Sequence, residues 1–244
     1  MYTKQGNPTA ALSLHQESLA LGEKYGDREQ ICYSQRSLGT DYQTLGQFDT
    51  ALQWQHKSLE LAQELGEPKL IAQAFRALGI TYTQCKEYEQ AKVQFNEYLL
   101  IVSRLKDKRG MLAAMQGLSY AENALENWEM AFFWEKCCLA LAESLGDRES
   151  EAKSHAYLGY GYLNSEDYPL ALEHLEAALE WQIHHASAST LAVTYLNLAT
   201  TCLELGRVQE MMVYFQQGWQ LASSFVPDLL DAYEELRAEI ISIL

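Results

Sequence analysis

Gly26 to Leu65 reads GDREQICYSQRSLGTDYQTLGQFDTALQWQHKSLELAQEL. Leu38, Tyr42 and Leu45 stand at i, i+4 and i+7, which places them on one stripe of a helix. A turn around Gly46 follows, and a second run of helical periodicity begins at Phe48. The stretch therefore predicts two helices, A over roughly 28–45 and B over roughly 48–65.

The same landmarks return every forty residues. Leu38-Gly39, Leu78-Gly79, Leu118-Ser119, Leu158-Gly159 and Leu198-Ala199 fall in one register, as do Ala51, Ala91, Ala131 and Ala171. The turn aromatics Phe48, Tyr88, Trp128 and Tyr168 align too, with the corners Gly26-Asp27, Gly66-Glu67, Lys106-Asp107 and Gly146-Asp147. A period of this length marks a repeat architecture. We read residues 1–244 as a single solenoid. Residues 1–25 hold a B helix without its partner, with the intra-repeat turn at Gln5-Gly6, and 26–65, 66–105, 106–145, 146–185 and 186–225 are five repeats. Residues 226–244 match the start of a sixth A helix.

Helix-end chemistry agrees with that register. Pro8, Pro68 and Pro227 fall at helix starts, where a missing N–H costs nothing. Gly26, Gly66 and Gly146 suit left-handed caps, and Asp27, Asp107 and Asp147 can cap the A helices that follow. Gly39, Gly79 and Gly159 lie inside A helices, at a cost of about 0.5–1 kcal/mol each relative to alanine, so they predict close approach of a neighbouring helix. A single pair cannot bury the Leu38 stripe, whereas stacked pairs can. The expected fold is all-α: a right-handed α-solenoid of stacked antiparallel helix pairs, about twelve helices in all.

Thirty-three acidic against eighteen basic side chains give a net charge of -15, which disfavours nucleic acid and anionic membranes as partners. Five cysteines follow no metal-ligand spacing, and three of them sit at apolar repeat positions, so buried thiols in a reducing compartment are expected. No signal-peptide pattern and no apolar run of bilayer length is present, so the expected location is cytoplasmic. Phosphate loops, H-E-x-x-H and G-x-S-x-G are absent as well. Neither enzyme activity nor a cofactor is expected.

The Leu-Gly-x2-Tyr and later Ala landmarks resemble the tetratricopeptide repeat (TPR), whose usual unit is about thirty-four residues. The forty-residue period and the Gly-Asp corner are similar to the long variant of spindle-orientation adaptors, of bacterial multi-repeat signalling proteins and of peptide-pheromone receptors. The family's first aromatic is here Gln35, Phe75, Met115, His155 and Tyr195, and the third unit carries Ser119 and Glu122 in place of Gly and Tyr. In the fifth unit, Val208 and Met211 replace the turn aromatic and the small residue, which predicts looser packing there.

The resemblance implies that the A helices line a concave groove that binds a protein or peptide. By register, its positions are Tyr33, Arg36, Thr40 and Gln43, then Gln73, Arg76 and Ile80, then Gln116, Tyr120 and Asn123. Lys153, Tyr157, Tyr160, Asn164 and Asn197 follow, with Val193 beside them. The five A helices carry eight basic and six acidic side chains, a net of +2, so the remaining residues carry -17. Arg36, Arg76 and Lys153 are the only charges at the expected groove positions, which points to a partner with acidic groups. Two other readings stay open: a peptide-gated regulatory module of a larger signalling protein, and an architectural module that self-associates through uncapped ends. Glu122 either receives a donor from a partner or reaches solvent at the edge of its unit, and solvent is the expectation. His184-His185 is expected in a corner loop rather than at a metal site.

Overall fold

The computed structural model describes residues 8–243, which form twelve α-helices and no strand. The expected Gln5-Gly6 turn and the terminal Leu244 lie outside the described residues. In order, the helices are α1 (Pro8–Tyr25), α2 (Arg28–Thr44), α3 (Phe48–Leu65), α4 (Pro68–Gln84), α5 (Tyr88–Arg104) and α6 (Lys108–Ala124). Then come α7 (Trp128–Leu145), α8 (Arg148–Asn164), α9 (Tyr168–His185), α10 (Ala188–Glu204) and α11 (Val208–Phe225). A 3₁₀ turn at Pro227–Leu229 leads into α12 (Leu230–Ile243). The A helices are α2, α4, α6, α8 and α10, and every boundary lies within a residue or two of the forty-residue register.

The chain divides into two compact units, Met1–Trp134 and Glu135–Leu244, with the division inside α7. Within the first unit each helix from α1 to α6 packs on the next, and the A helices also touch one another, α2 with α4 and α4 with α6. Within the second, α8 to α11 pack in succession, α8 touches α10, and α12 closes against α10 and α11. Each unit is thus a stack of antiparallel helix pairs of the α-solenoid type. Contact between successive A helices puts their outward side chains on a common face.

The packing reasons read from the sequence hold. Leu38, Leu78, Leu118, Leu158 and Leu198 are at most 1% exposed, and Ala51, Ala91 and Ala171 are fully buried beside them. A Cβ added at Gly39, Gly79 or Gly159 would lie 2.5, 2.8 or 2.6 Å from Gln55, Phe95 or Leu175 on the paired B helix. No side chain fits there. Asp27, Asp107 and Asp147 accept hydrogen bonds from the backbone N–H of Gln30, Gly110 and Ser150 at 3.0–3.2 Å. The intra-repeat turn takes a left-handed residue whatever its identity: Gly46, Lys86, Glu126, Glu166 and Gly206 all have φ between 61° and 73°. Repeat geometry overrides the local preference against a Cβ at that angle.

Three expectations change. Packing is not looser in the fifth unit. Met211 is buried with Tyr195, Leu198 and Leu236 in one cluster, because a flexible thioether fills the space that alanine leaves in the other repeats. Glu122 does not reach solvent; it is buried against Lys92, Nζ to Oε2 3.1 Å, and accepts from Asn127 Nδ2 at 2.9 Å. Burial works against the Lys92 ammonium, but the bond to Glu122 and the Glu122 and Glu89 charges outweigh it and raise its pKa. His184 and His185 are not in a loop but in the last turn of α9, where the His185 ring stacks on Trp181 with centroids 4.6 Å apart.

Candidate functional site

On the A-helix face of the first unit, α2 presents Tyr33, Arg36 and Thr40, and α4 presents Gln73, Arg76 and Ile80. The Arg36 guanidinium lies 5.8 Å from the centre of the Tyr33 ring, a cation–π arrangement on a half-buried side chain. Burial lowers the Arg36 pKa; Cys32 and Tyr33 oppose the shift, and the like charge of Arg76 adds to it. The two arginines therefore sit within reach of one another's field, as the register requires. Thr40 donates to the Arg36 carbonyl at 3.2 Å, and Gln43 is half-buried with its amide oxygen accepting from the buried Thr81 hydroxyl at 3.1 Å. Gln43 thus spends its acceptor inside the protein. On α6, Tyr120 is 49% exposed and lies 6.4 Å from the Tyr88 ring, while Gln116 and Asn123 are half-buried.

In the second unit the expected positions converge on a cleft of about 490 Å³. Lys153, Tyr157 and Tyr160 from α8 form one wall, and Val193 and Asn197 from α10 form the other. Both tyrosines and Val193 are 40–48% exposed, an amphipathic surface that water covers in the free protein. Lys153 Nζ is 2.5 Å from Glu149 Oε1, one turn earlier on α8. Asn164 is exposed at the end of α8 and does not line this cleft.

Register reasoning missed Gln182 and Thr194 at the base of the cleft. Gln182 is 3% exposed, and its amide oxygen accepts from Thr194 Oγ1 at 2.7 Å. A signal existed, since the positions equivalent to Gln182 are Ala62, Val102 and Ala142. It lies on a B helix, outside the set that a groove made of A helices suggests.

The second unit also brings together ionisable groups that no register position predicted. His155 on α8 and His174 on α9 meet Nδ1 to Nδ1 at 2.8 Å, which requires one proton between the two nitrogens. Tyr162 stacks on His174, and the Lys136 ammonium lies 5.8 Å from the Tyr162 ring. Burial lowers both histidine pKa values. For His155, the carboxylates of Glu143, Glu151 and Glu173 oppose the shift. For His174, His155 and Lys136 deepen it and Glu173 opposes it.

Among the described residues, no group of three or more His, Cys, Asp and Glu side chains could hold a metal ion. No described helix is long and apolar enough to cross a membrane.

A sequence profile of the tetratricopeptide repeat matches residues 1–64 and 30–99. Among solved structures, the chain is similar to BtubC (BKLC) from P. vanneervenii, at 18% identity and a TM-score of 0.76, over 89% of this chain and 91% of that one. The apo form of the quorum sensor NprR from B. thuringiensis is similar at 15% identity and a TM-score of 0.68, over 93% of this chain and 64% of that one. YrrB, a TPR protein with an unusual peptide-binding site, is similar at 15% identity and a TM-score of 0.62, over 91% and 98%. At these identities the likeness is one of fold. The comparison with curated proteins finds no match.

Proposed function

We propose that this chain, whose residues 1–64 and 30–99 match the tetratricopeptide-repeat profile, is an interaction scaffold that binds a peptide or extended segment of a partner on the concave face of its A helices. The observation that carries this reading is the convergence of Lys153, Tyr157, Tyr160 and Asn197 on one open cleft of the second unit. Tyrosine offers large contact area at low entropy cost, and the amide and ammonium groups can bond a peptide backbone and its acidic side chains. In the first unit, Tyr33, Arg36, Gln73 and Arg76 supply the same chemistry with two fixed positive charges. A partner segment with carboxylates suits both sets. The solved peptide-binding and quorum-sensing relatives lend support to a peptide as ligand. We place the protein in the cytoplasm as an adaptor, a setting in which its five free thiols stay reduced.

Selection from a random peptide display library, followed by fluorescence anisotropy on the peptides recovered, tests this. Selected peptides should be acidic, and Arg36→Glu/Arg76→Glu or Tyr157→Ala/Tyr160→Ala should weaken them by more than about fivefold. Peptides that bind both double variants as tightly as wild type would place binding on another surface.

A further inference from the structure

The second unit holds another cleft, of about 370 Å³, whose counterpart eighty residues earlier has a different character. In the first unit that repeat position has Pro68, Ile71 and Phe75 on α4 and Leu100, Ile101 and Leu105 on and just past α5, apolar residues that share the wall with Gln63, Glu97 and Arg104. The matching residues in the second unit are Arg148, Glu151 and His155 of α8 and Glu180, Trp181 and His185 of α9, and all six line the cleft. Helix pairing does not require ionisable groups at these six positions, since the first unit fills them with apolar side chains. Replacing those with ionisable groups costs stability. Glu151 is 9% exposed, and its partner Arg148, 2.7 Å away, is so exposed that solvent screens the pair.

Carboxylates outnumber cations here. Glu151 and Glu180 are on the wall, and Glu143 and Glu173 act on His155 from α7 and α9. Against these four carboxylates stand Arg148 on the wall and Lys136, which acts on His174. Among the described residues, no hydrogen bond or ion pair engages the exposed Glu180 carboxylate. Trp181 adds an indole to the wall, with the His185 imidazole stacked on one of its two faces at 13° between the planes. Burial also keeps His155 and His174 from adding positive charge near neutral pH.

We propose that this cleft binds an arginine side chain of a partner protein, the guanidinium accepted by the Glu180 and Glu151 carboxylates and stacked on the Trp181 face opposite His185. A planar cation with five donors matches two carboxylates beside an aromatic ring, and stacking and charge act together. The site is separate in sequence from the groove residues proposed above and would give the partner a second, oppositely charged anchor.

Titration of the ¹⁵N-labelled protein with N-acetyl-arginine amide, read at the Trp181 indole N–H assigned through Trp181→Phe, tests this. A saturable shift is expected with the arginine probe and none with N-acetyl-citrulline amide, which has the same shape without the charge. Glu180→Gln changes an exposed carboxylate and leaves the packing intact; it should weaken binding by about threefold or more. Arg36→Glu/Arg76→Glu should leave the titration unchanged, so failure of the groove reading is distinguishable from failure here. No saturable shift, an equal shift with citrulline, or unaltered affinity in Glu180→Gln would overturn the proposal.

Discussion

Replacing Gln55 with leucine should stabilise the first unit. Gln55 is fully buried on α3, and among the described residues neither its amide nitrogen nor its amide oxygen has a hydrogen-bond partner. Its Cγ lies where a Cβ on Gly39 would meet it at 2.5 Å, the place that Phe95 fills against Gly79 and Leu175 fills against Gly159. Leu175 shows that leucine fits this A–B contact. A buried donor or acceptor without a partner costs about 1–3 kcal/mol, and glutamine and leucine are close in volume, so Gln55→Leu should gain about 2 kcal/mol. With a slope of about 2–3 kcal/mol/M, the urea midpoint of the first unit should rise by about 0.7–1 M. Denaturation followed by far-ultraviolet circular dichroism, with hydrogen exchange at α2 and α3 to localise the change, measures it. An unchanged or lower midpoint would show that the amide is hydrogen-bonded in solution and would refute the assignment of Gln55 as an uncompensated polar group.

Other perturbations have equally definite outcomes. The Tyr233 hydroxyl donates to the Ala192 carbonyl at 2.6 Å from a fully buried ring, so Tyr233→Phe should cost about 1 kcal/mol in thermal or urea melts. A Cβ on Gly218 would lie 1.7 Å from that hydroxyl, so Gly218→Ala should cost more, about 1–3 kcal/mol, by displacing α12. Lys92→Met strands the buried Glu122 carboxylate with Asn127 as its remaining donor and should cost about 3 kcal/mol in urea melts at pH 7. Lowered histidine pKa values mean that the unfolded chain binds more protons between the unfolded value of 6.5 and the folded values. The stability that His155 and His174 contribute is therefore complete above pH 6.5 and falls as acid titrates the folded pair. In His155→Phe, which restores the residue type found at Phe75, the pH dependence of the second unit's melting over that range should flatten.

The forty-residue pattern made most of the fold legible because it records packing. Leu38, Gly39 and Ala51 recur since each repeat must bring an A helix against a B helix at the same distance, and a side chain too large at Gly39 would strike Gln55. The A-helix face could be marked out by register for the same reason, and it placed Lys153, Tyr157, Tyr160 and Asn197 around one cleft. Asn164 shared their periodicity but not their position, because α8 ends there.

Sequence alone determined the helices, their caps and their pairing, all of which depend on neighbours within one or two turns or one repeat. Tertiary structure decided where the charges ended up. Glu122 looked like a surface departure until α5 brought Lys92 to within 3.1 Å of it. His155, read as a missing aromatic, meets His174 on the facing helix and lines a cleft with Glu180 and Trp181. Apolar periodicity is a property of one helix, whereas the partner of a charge or the wall of a cleft belongs to two or three, and their spacing is set only when the helices pack.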